Sequence, residues 1–200
     1  MEASNNYTFK SIATLLTAII IAITSPTSAA RPAGGAASTE FIRRSCSGTA
    51  YPSLCFSSLS SHASAIQQNP KLLADMALSV SLSTTRAASA DIVRVAHGAG
   101  MSRREASAMR DCVEELSDSV EQLRRSMAEM GRIGGARPSD FGMMMSDVQT
   151  WVSAALTNDD TCVEGFAGKT RAAVRGRIVN VVHTTSNALA LINSYAALHG

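Results

Sequence analysis

Aromatic residues are scarce in this 200-residue chain: Phe, Trp and Tyr together make up 4% of it, and Trp151 is the only tryptophan. The hydrophobic content is nevertheless 46%, and Ala, Ser, Leu and Met are plentiful. Sheets favour aromatic and β-branched residues, whereas this balance suits closely packed helices. The composition therefore predicts a single all-α domain with a core of its own.

A strong charge of either sign is also missing. The formal net charge is +2, and no run of five basic residues occurs anywhere in the chain. Nucleic-acid binding depends on clustered Lys and Arg that neutralise phosphates. The charge pattern therefore predicts a protein that does not bind nucleic acid.

Motifs for metal binding and catalysis are absent from the sequence. There is no C-x-x-C, no Glu-x-x-His and no G-x-S-x-G, which disfavours zinc, di-iron and serine-nucleophile sites. The four histidines are dispersed along different segments, at His62, His97, His183 and His199. We therefore expect no metal, no cofactor and no enzymatic activity, and a binding module instead.

Residues 1–30 have the features of a secretory signal peptide. The stretch from Ser11 to Thr24 is uncharged and apolar, and at about 14 residues it is too short to span a bilayer comfortably. Ser28 and Ala30 fit the small-residue positions of a cleavage site. We expect secretion, no membrane attachment after cleavage, and a flexible leader at residues 31–38.

The four cysteines are an even number in a chain expected to reach an oxidising compartment, so two disulfides are predicted. Three pairings are possible. Cys46 and Cys55 lie close in sequence and bracket a turn signal at residues 48–52, which favours a local bridge. That bridge leaves Cys112 to pair with Cys162.

Helical periodicity divides the rest of the chain into two parts. Residues 39–68 predict a helical hairpin, and residues 70–198 predict four long amphipathic helices. The four helices are expected to begin at Pro70, at Arg103 behind a Ser102–Glu105 capping box, at Ser139 and near Thr170. Because short links force neighbouring helices to run antiparallel, the sequence predicts an up-down-up-down four-helix bundle with an N-terminal helical hairpin.

Each bundle helix has a stripe of residues at three- and four-residue steps that should face the core. The stripes are Leu73, Met76, Val80 and Ala87; Met109, Cys112, Leu116, Val120, Leu123, Met127 and Met130; Val148, Val152, Ala155, Cys162 and Phe166; and Val174, Ile178, Val181, Thr185, Ala188, Ile192 and Tyr195. Since two of these positions are cysteines on adjacent helices, they can meet inside the core.

Carboxylates are concentrated on the second and third bundle helices. They are Asp111, Glu114, Glu115, Asp118 and Glu121, then Asp159, Asp160 and Glu164. Like charges four residues apart are mildly destabilising in a helix. Two interpretations remain open at this point: an ordinary solvated face, or an acidic surface kept for a partner.

Three features together resemble the plant pectin methylesterase inhibitor and invertase inhibitor family. They are the order of the four cysteines, the segment Asp111–Val120, and the segment Val152–Asn158 leading into Asp160-Thr161-Cys162. The resemblance implies the same fold of bundle and hairpin. It also implies a secreted protein of the plant cell wall (the apoplast) that is monomeric before it binds its target enzyme one to one and blocks access of the substrate.

The target follows from a motif that is missing. The resemblance implies that invertase inhibitors have a Pro-Lys-Phe motif, whereas the only Pro-Lys here, Pro70-Lys71, is followed by Leu72. This favours pectin methylesterase as the protein partner. Inhibition of a cell-wall or vacuolar acid invertase is the alternative, and a secreted helical signalling module that binds a receptor also remains open.

Site residues follow from the same resemblance, because Thr161 matches the family's threonine just before the fourth cysteine. Side chains on a disulfide-pinned helix lose little entropy on binding, so the polar run before Cys162 suits an interface. The predicted partner contacts are Asn158, Asp159, Asp160 and Thr161, with Glu115 and Asp118 from the preceding helix.

Overall fold

The computed structural model describes residues 33–96, 101–164, 166 and 168–199, and all regular secondary structure in these ranges is helical. The predicted signal peptide at residues 1–30 lies outside them. The helices are α1 (Ala33–Ser47), α2 (Pro52–Leu59), a 3₁₀ turn (Ser60–His62), α3 (Ala63–Ile66), α4 (Pro70–Ala96), α5 (Arg103–Ile133), α6 (Pro138–Glu164) and α7 (Gly168–Ala196). None of the described helices is long and apolar enough to cross a membrane.

Local sequence signals fix where the helices begin. The side chain of Asn69 caps α4 by accepting hydrogen bonds from the backbone N–H groups of Lys71 (2.9 Å) and Leu72 (3.2 Å). The predicted capping box of α5 is present, with Ser102 and Glu105 each bonding to the other's backbone. Proline is the first residue of α2, α4 and α6, where its missing N–H is not needed.

The four long helices form the predicted bundle. Helix α5 packs on α4 and α6, and helix α7 packs on the same two neighbours, so the four helices enclose one interior. Both predicted disulfides are present: Cys46–Cys55 in the hairpin, with a Cα–Cα distance of 5.6 Å, and Cys112–Cys162 between α5 and α6, with 4.4 Å. The fold class and the cysteine pairing are confirmed.

The interior contains two apolar clusters at successive levels of the bundle. The hairpin-side core includes Leu82, Leu123, Ala155 and Ala188 together with the buried residues of α1–α3. The distal core includes Ala88, Leu116, Val181 and the Cys112–Cys162 disulfide. Buried polar residues of every bundle helix lie between the two levels, and we call four of them, one from each helix and all with an exposure of 0%, the polar layer: Thr85, Ser119, Asp159 and Thr185.

Asn187 of α7 attaches the hairpin to the bundle. Its side-chain oxygen accepts a hydrogen bond from the backbone N–H of Tyr51, and its amide nitrogen donates to the carbonyl of Tyr51, both at 3.1 Å. The ring of Tyr51 also stacks on His183, with 3.5 Å between ring centroids. Asn187 is buried, so these bonds satisfy polar groups that water does not reach.

The N-terminal segment differs from the prediction. Helix α1 begins at Ala33, inside the stretch 31–38 that the sequence predicts as a flexible leader. Alanine favours helix, the Thr39 hydroxyl donates to the carbonyl of Gly35 (2.8 Å), and Ser38 is buried. The second arm of the hairpin predicted at residues 39–68 is not one continuous helix, because the 3₁₀ turn at Ser60–His62 interrupts it.

The buried face of α4 is rotated relative to the predicted stripe. Ala87 is exposed and Met76 and Val80 are only half-buried, whereas Ser81 and Thr85 are fully buried. Small side chains on this face allow neighbouring helices to approach closely, and the hydroxyls find hydrogen-bond partners inside the bundle. The large residues at the edge of the face cover it from the side.

The two disulfides should contribute unequally to stability. They close chain segments of 50 and 9 residues in the unfolded protein. On the chain-entropy model, replacing Cys112 and Cys162 by Ala should lower the free energy of unfolding by about 4 kcal/mol, against roughly 2–3 kcal/mol for Cys46 and Cys55. Denaturant titration of the two double variants tests this. A larger loss for the hairpin pair would show that local packing, and not loop closure, sets the difference.

Candidate protein-binding surface

A cleft of about 390 Å³ runs along the outside of α5 and α6. The Cys112–Cys162 disulfide lies along it, with both cysteines almost fully buried. Its other lining residues are Arg104, Ser107, Ala108, Asp111 and Glu115 from α5 and Thr161 from α6. The disulfide holds both walls of the cleft at a fixed separation.

Two of the sequence-predicted contact residues, Glu115 and Thr161, line this cleft together. They come close because the disulfide joins the two helices at positions 112 and 162, so Glu115 lies almost one turn beyond one cysteine and Thr161 directly precedes the other. Asp118 and Asp160 are exposed and Asn158 is half-buried, but none of these three lines the cleft.

The hydroxyl proton of Thr161 takes part in a hydrogen bond within its own helix. It donates a hydrogen bond to the carbonyl of Thr157 (2.9 Å), as Thr157 does to Ser153 (3.1 Å). A hydroxyl has one proton and two acceptor lone pairs. Exposed Thr161 therefore presents an acceptor oxygen and a methyl group to a partner, and a hydrogen bond across an interface requires a donor on the other side.

The carboxylates of this surface are not neutralised internally. Among the described residues, none of the ion pairs involves Asp111, Glu115, Asp118 or Asp160. Arg104 is the cation in the cleft lining. The surface is thus predominantly acidic and suited to a partner that supplies hydrogen-bond donors or positive charge.

Asp159 does not belong to this surface, although the sequence places it among the partner contacts. Its exposure is 0%, because it lies on the face of α6 that also carries Ala155 and Cys162, which points into the bundle. One carboxylate oxygen, Oδ2, accepts a hydrogen bond of 2.8 Å from the hydroxyl of Thr185. The proposed contact set is therefore reduced to Asn158, Asp160, Thr161, Glu115 and Asp118.

Burial raises the pKa of Asp159 from its ordinary 3.8 to about 7, because the ionised carboxylate loses its hydration. Hydrogen bonding from Ser119 and Thr185 lowers this pKa, and the negative charge of Asp160 raises it. The contact with Ser119 is poorly formed: neither Asp159 Oδ1 nor Ser119 Oγ has a hydrogen bond of good geometry among the described residues.

Sequence reasoning missed four lining residues of α5: Arg104, Ser107, Ala108 and Asp111. Together with Glu115 they follow steps of three and four residues, which place them on one side of a helix. That spacing was available in the sequence. It was not recognised because the stripe mixes a cation, two small residues and carboxylates and has no hydrophobic signal.

The model of the family described as plant invertase/pectin methylesterase inhibitor matches residues 40–191. Among curated proteins, the chain is 48% identical over 161 residues to pectinesterase inhibitor 10 of Arabidopsis thaliana, covering 79% of this chain and 52% of that protein. It is 45% identical over 172 residues to the 21 kDa protein of Daucus carota, covering 84% and 89%. The chain thus spans about half of the first relative and most of the second.

Solved structures have the same fold. The crystal structure of mutant form A of a pectin methylesterase inhibitor from Arabidopsis superposes with a TM-score of 0.59. The match covers 74% of this chain and 92% of that one, at 23% sequence identity. At this identity the likeness supports the helical fold alone.

Proposed function

The chain belongs to the plant invertase/pectin methylesterase inhibitor family, and from this membership we propose that it is a secreted inhibitor of pectin methylesterase. The family is one of inhibitors and not of enzymes. The observation that carries the choice of target is the 48% identity to a protein named pectinesterase inhibitor 10. Export to the cell wall rests on the predicted signal peptide and on the family.

The start of α4 supports the esterase over an invertase. Invertase inhibitors of the family are expected to have Pro-Lys-Phe, whereas this chain has Pro70-Lys71-Leu72 in the first turn of the helix. Lys71 there forms an ion pair of 2.8 Å with Asp75, four residues on. The charge of Lys71 is therefore already paired with Asp75 within the helix.

Inhibition would result from the inhibitor physically blocking the substrate cleft of the enzyme, without any covalent reaction between the two proteins. We propose that one monomeric inhibitor binds one esterase and that the α5–α6 surface covers the pectin cleft. Two features of the surface support this: the disulfide sets the spacing of its walls, so binding requires little ordering, and its carboxylates lack internal partners. The rigid bundle behind it would keep the substrate from entering around the edge.

The target is tested by a paired assay. Purified protein at micromolar concentration is added to a plant pectin methylesterase and, separately, to an acid invertase. We expect concentration-dependent loss of the esterase activity with saturation at one inhibitor per enzyme, and unchanged invertase activity. Inhibition of the invertase alone would replace the proposed target. Inhibition of neither enzyme would favour the receptor-binding alternative.

The surface is tested by substitutions at its centre. Thr161→Ala removes an acceptor and would leave a donor of the esterase unpaired, so binding should weaken by roughly 1–2 kcal/mol, about 5- to 30-fold in Kd. The double change Glu115→Ala/Asp118→Ala should weaken binding and reduce its dependence on salt. Titration of esterase activity measures both effects, and circular dichroism confirms that the variants fold.

Thr150→Ala is the matched control, because Thr150 is an exposed threonine of the same helix and does not line the cleft. It should inhibit like the unchanged protein. If the Thr161 and Glu115/Asp118 variants also inhibit normally, the α5–α6 surface is only a solvated face, and the binding surface lies elsewhere, on α7 or the hairpin.

A further inference from the structure

The polar layer contains one residue from each of the four bundle helices, at one level of the interior. On every helix it lies between a residue of the hairpin-side core and a residue of the distal core. On α6, for example, Asp159 lies between Ala155 and Cys162, and on α7 Thr185 lies between Ala188 and Val181. A carboxyl group in the middle of a bundle interior is costly unless its polar atoms are paired. The pairing of this group therefore decides how well the four helices hold together.

The hydrogen bonds of the layer run in one direction. Thr185 donates its proton to Asp159 Oδ2 (2.8 Å), so at the contact between Ser81 and Thr185 (2.8 Å) the proton must come from Ser81. Thr85 donates to the carbonyl of Ser81 (2.9 Å). Helices α4, α7 and α6 are thereby linked in series, and the series ends at the carboxyl group of Asp159.

At the link to α5, protonation of Asp159 decides which side donates the hydrogen bond and whether the buried carboxyl carries a charge. Asp159 Oδ1 and Ser119 Oγ are both buried without a well-formed partner among the described residues. One hydrogen bond can satisfy both atoms in either state: the neutral acid donates from Oδ1 to Ser119 Oγ, and the carboxylate accepts from the Ser119 hydroxyl. Only the ionised form places a negative charge in the bundle interior, where hydroxyl groups alone stabilise it.

Among the described residues, no ion pair neutralises that charge. Along α4 the nearest charged residue is Arg86, which directly follows Thr85 but is exposed, and on α7 the nearest titratable residue is His183, which is stacked on Tyr51. On α5 and α6 the nearest charged groups along the chain are carboxylates: Glu115, Asp118 and Asp160. Burial and the neighbouring negative charge of Asp160 therefore favour the neutral form of Asp159, and they outweigh the hydrogen bonds from Ser119 and Thr185 that favour the ionised form.

We propose that Asp159 is a positioning residue: its neutral form ties α6 to both α5 and α7, and loss of its proton loosens the α5–α6 contact surface. This rests on the proposed function, since Asn158, Asp160 and Thr161 of that surface flank Asp159 on α6. The inhibitor would then be most rigid in mildly acidic surroundings.

The sign of the effect on stability follows from linkage. The raised pKa of Asp159, about 7 against 3.8 in the unfolded chain, means that between these values the folded protein retains a proton that the unfolded chain releases. Stability is thus fully present below about pH 4 and is lost as pH rises through about 7. From pH 5 to 7.5 this one group should increase the unfolding equilibrium constant on the order of 10- to 100-fold.

The test compares denaturant unfolding at pH 5 and pH 7.5 for three proteins. The unchanged chain should show the full increase in the unfolding equilibrium constant between the two pH values. Asp159→Asn should lose most of it, because the amide can accept from Thr185 and donate to Ser119 at either pH. Asp147→Asn, an exposed aspartate of the same helix, should retain it. An increase that persists in Asp159→Asn would overturn the proposal.

A titration of the unchanged protein by NMR does not depend on any variant folding. The side-chain carboxyl carbon of Asp159 should titrate near pH 7, and the backbone amides of Ser119, Asp160 and Thr161 should shift with the same midpoint. A midpoint near 4 for Asp159, or amides that do not follow it, would contradict the proposal.

Binding to the esterase separates this inference from the proposed function. At each pH, the Kd of the unchanged protein is divided by the Kd of Asp159→Asn. Because both are measured with the same enzyme, any effect of pH on the enzyme itself cancels in this ratio. The ratio should be near one at pH 5, and at pH 7.5 the variant should bind several-fold tighter. A constant ratio would contradict the coupling to the surface. Absence of binding by both proteins at both pH values would reject the proposed function, while the unfolding and NMR results would still decide whether Asp159 positions α6.

Discussion

The Cys112–Cys162 disulfide is the constraint on which the candidate surface depends. It holds α5 and α6 at a Cα–Cα distance of 4.4 Å, and the cleft beside it has walls from both helices. Because the bridge closes 50 residues of chain, it also removes much of the unfolded chain's conformational freedom. The same covalent bond therefore serves the stability of the bundle and the shape of the surface.

The polar layer is a second constraint, of a different physical kind. Apolar stripes repeating every three or four residues pack almost equally well if one helix slides by a turn, whereas the hydrogen bonds that join Ser81, Thr185 and Asp159 across three helices require one register. A buried carboxyl adds little to the free energy of unfolding, but it can select one helix register over others, as polar residues at core positions of coiled coils do. The layer and the disulfide lie next to each other, so both act on the same part of α6.

How far the sequence predicted the structure depended on residue size and chemistry. The helix starts at Pro70 and behind the Ser102 capping box, the cysteine pairing and the stripe of α7, including buried Thr185, were predicted because each rests on a local rule. The prediction wrongly placed Ala87 on the buried face of α4, because Ala, Ser and Thr occur both in protein cores and on surfaces. Asp159 was assigned to the surface because a carboxylate is normally exposed. The helical spacing did place it on the core stripe, four residues after Ala155 and three before Cys162, but its hydrogen-bond partner Thr185, 26 residues away, is not revealed by a local pattern.

The central claim is that the α5–α6 surface is what meets the esterase, and hydrogen exchange of the inhibitor with and without bound enzyme tests it most directly. The account predicts that bound enzyme slows exchange of backbone amides at residues 104–118 and 158–162, with little change along α2 and the second half of α7. Slowed exchange confined to the hairpin or to α7, with residues 104–118 and 158–162 unaffected, would contradict it.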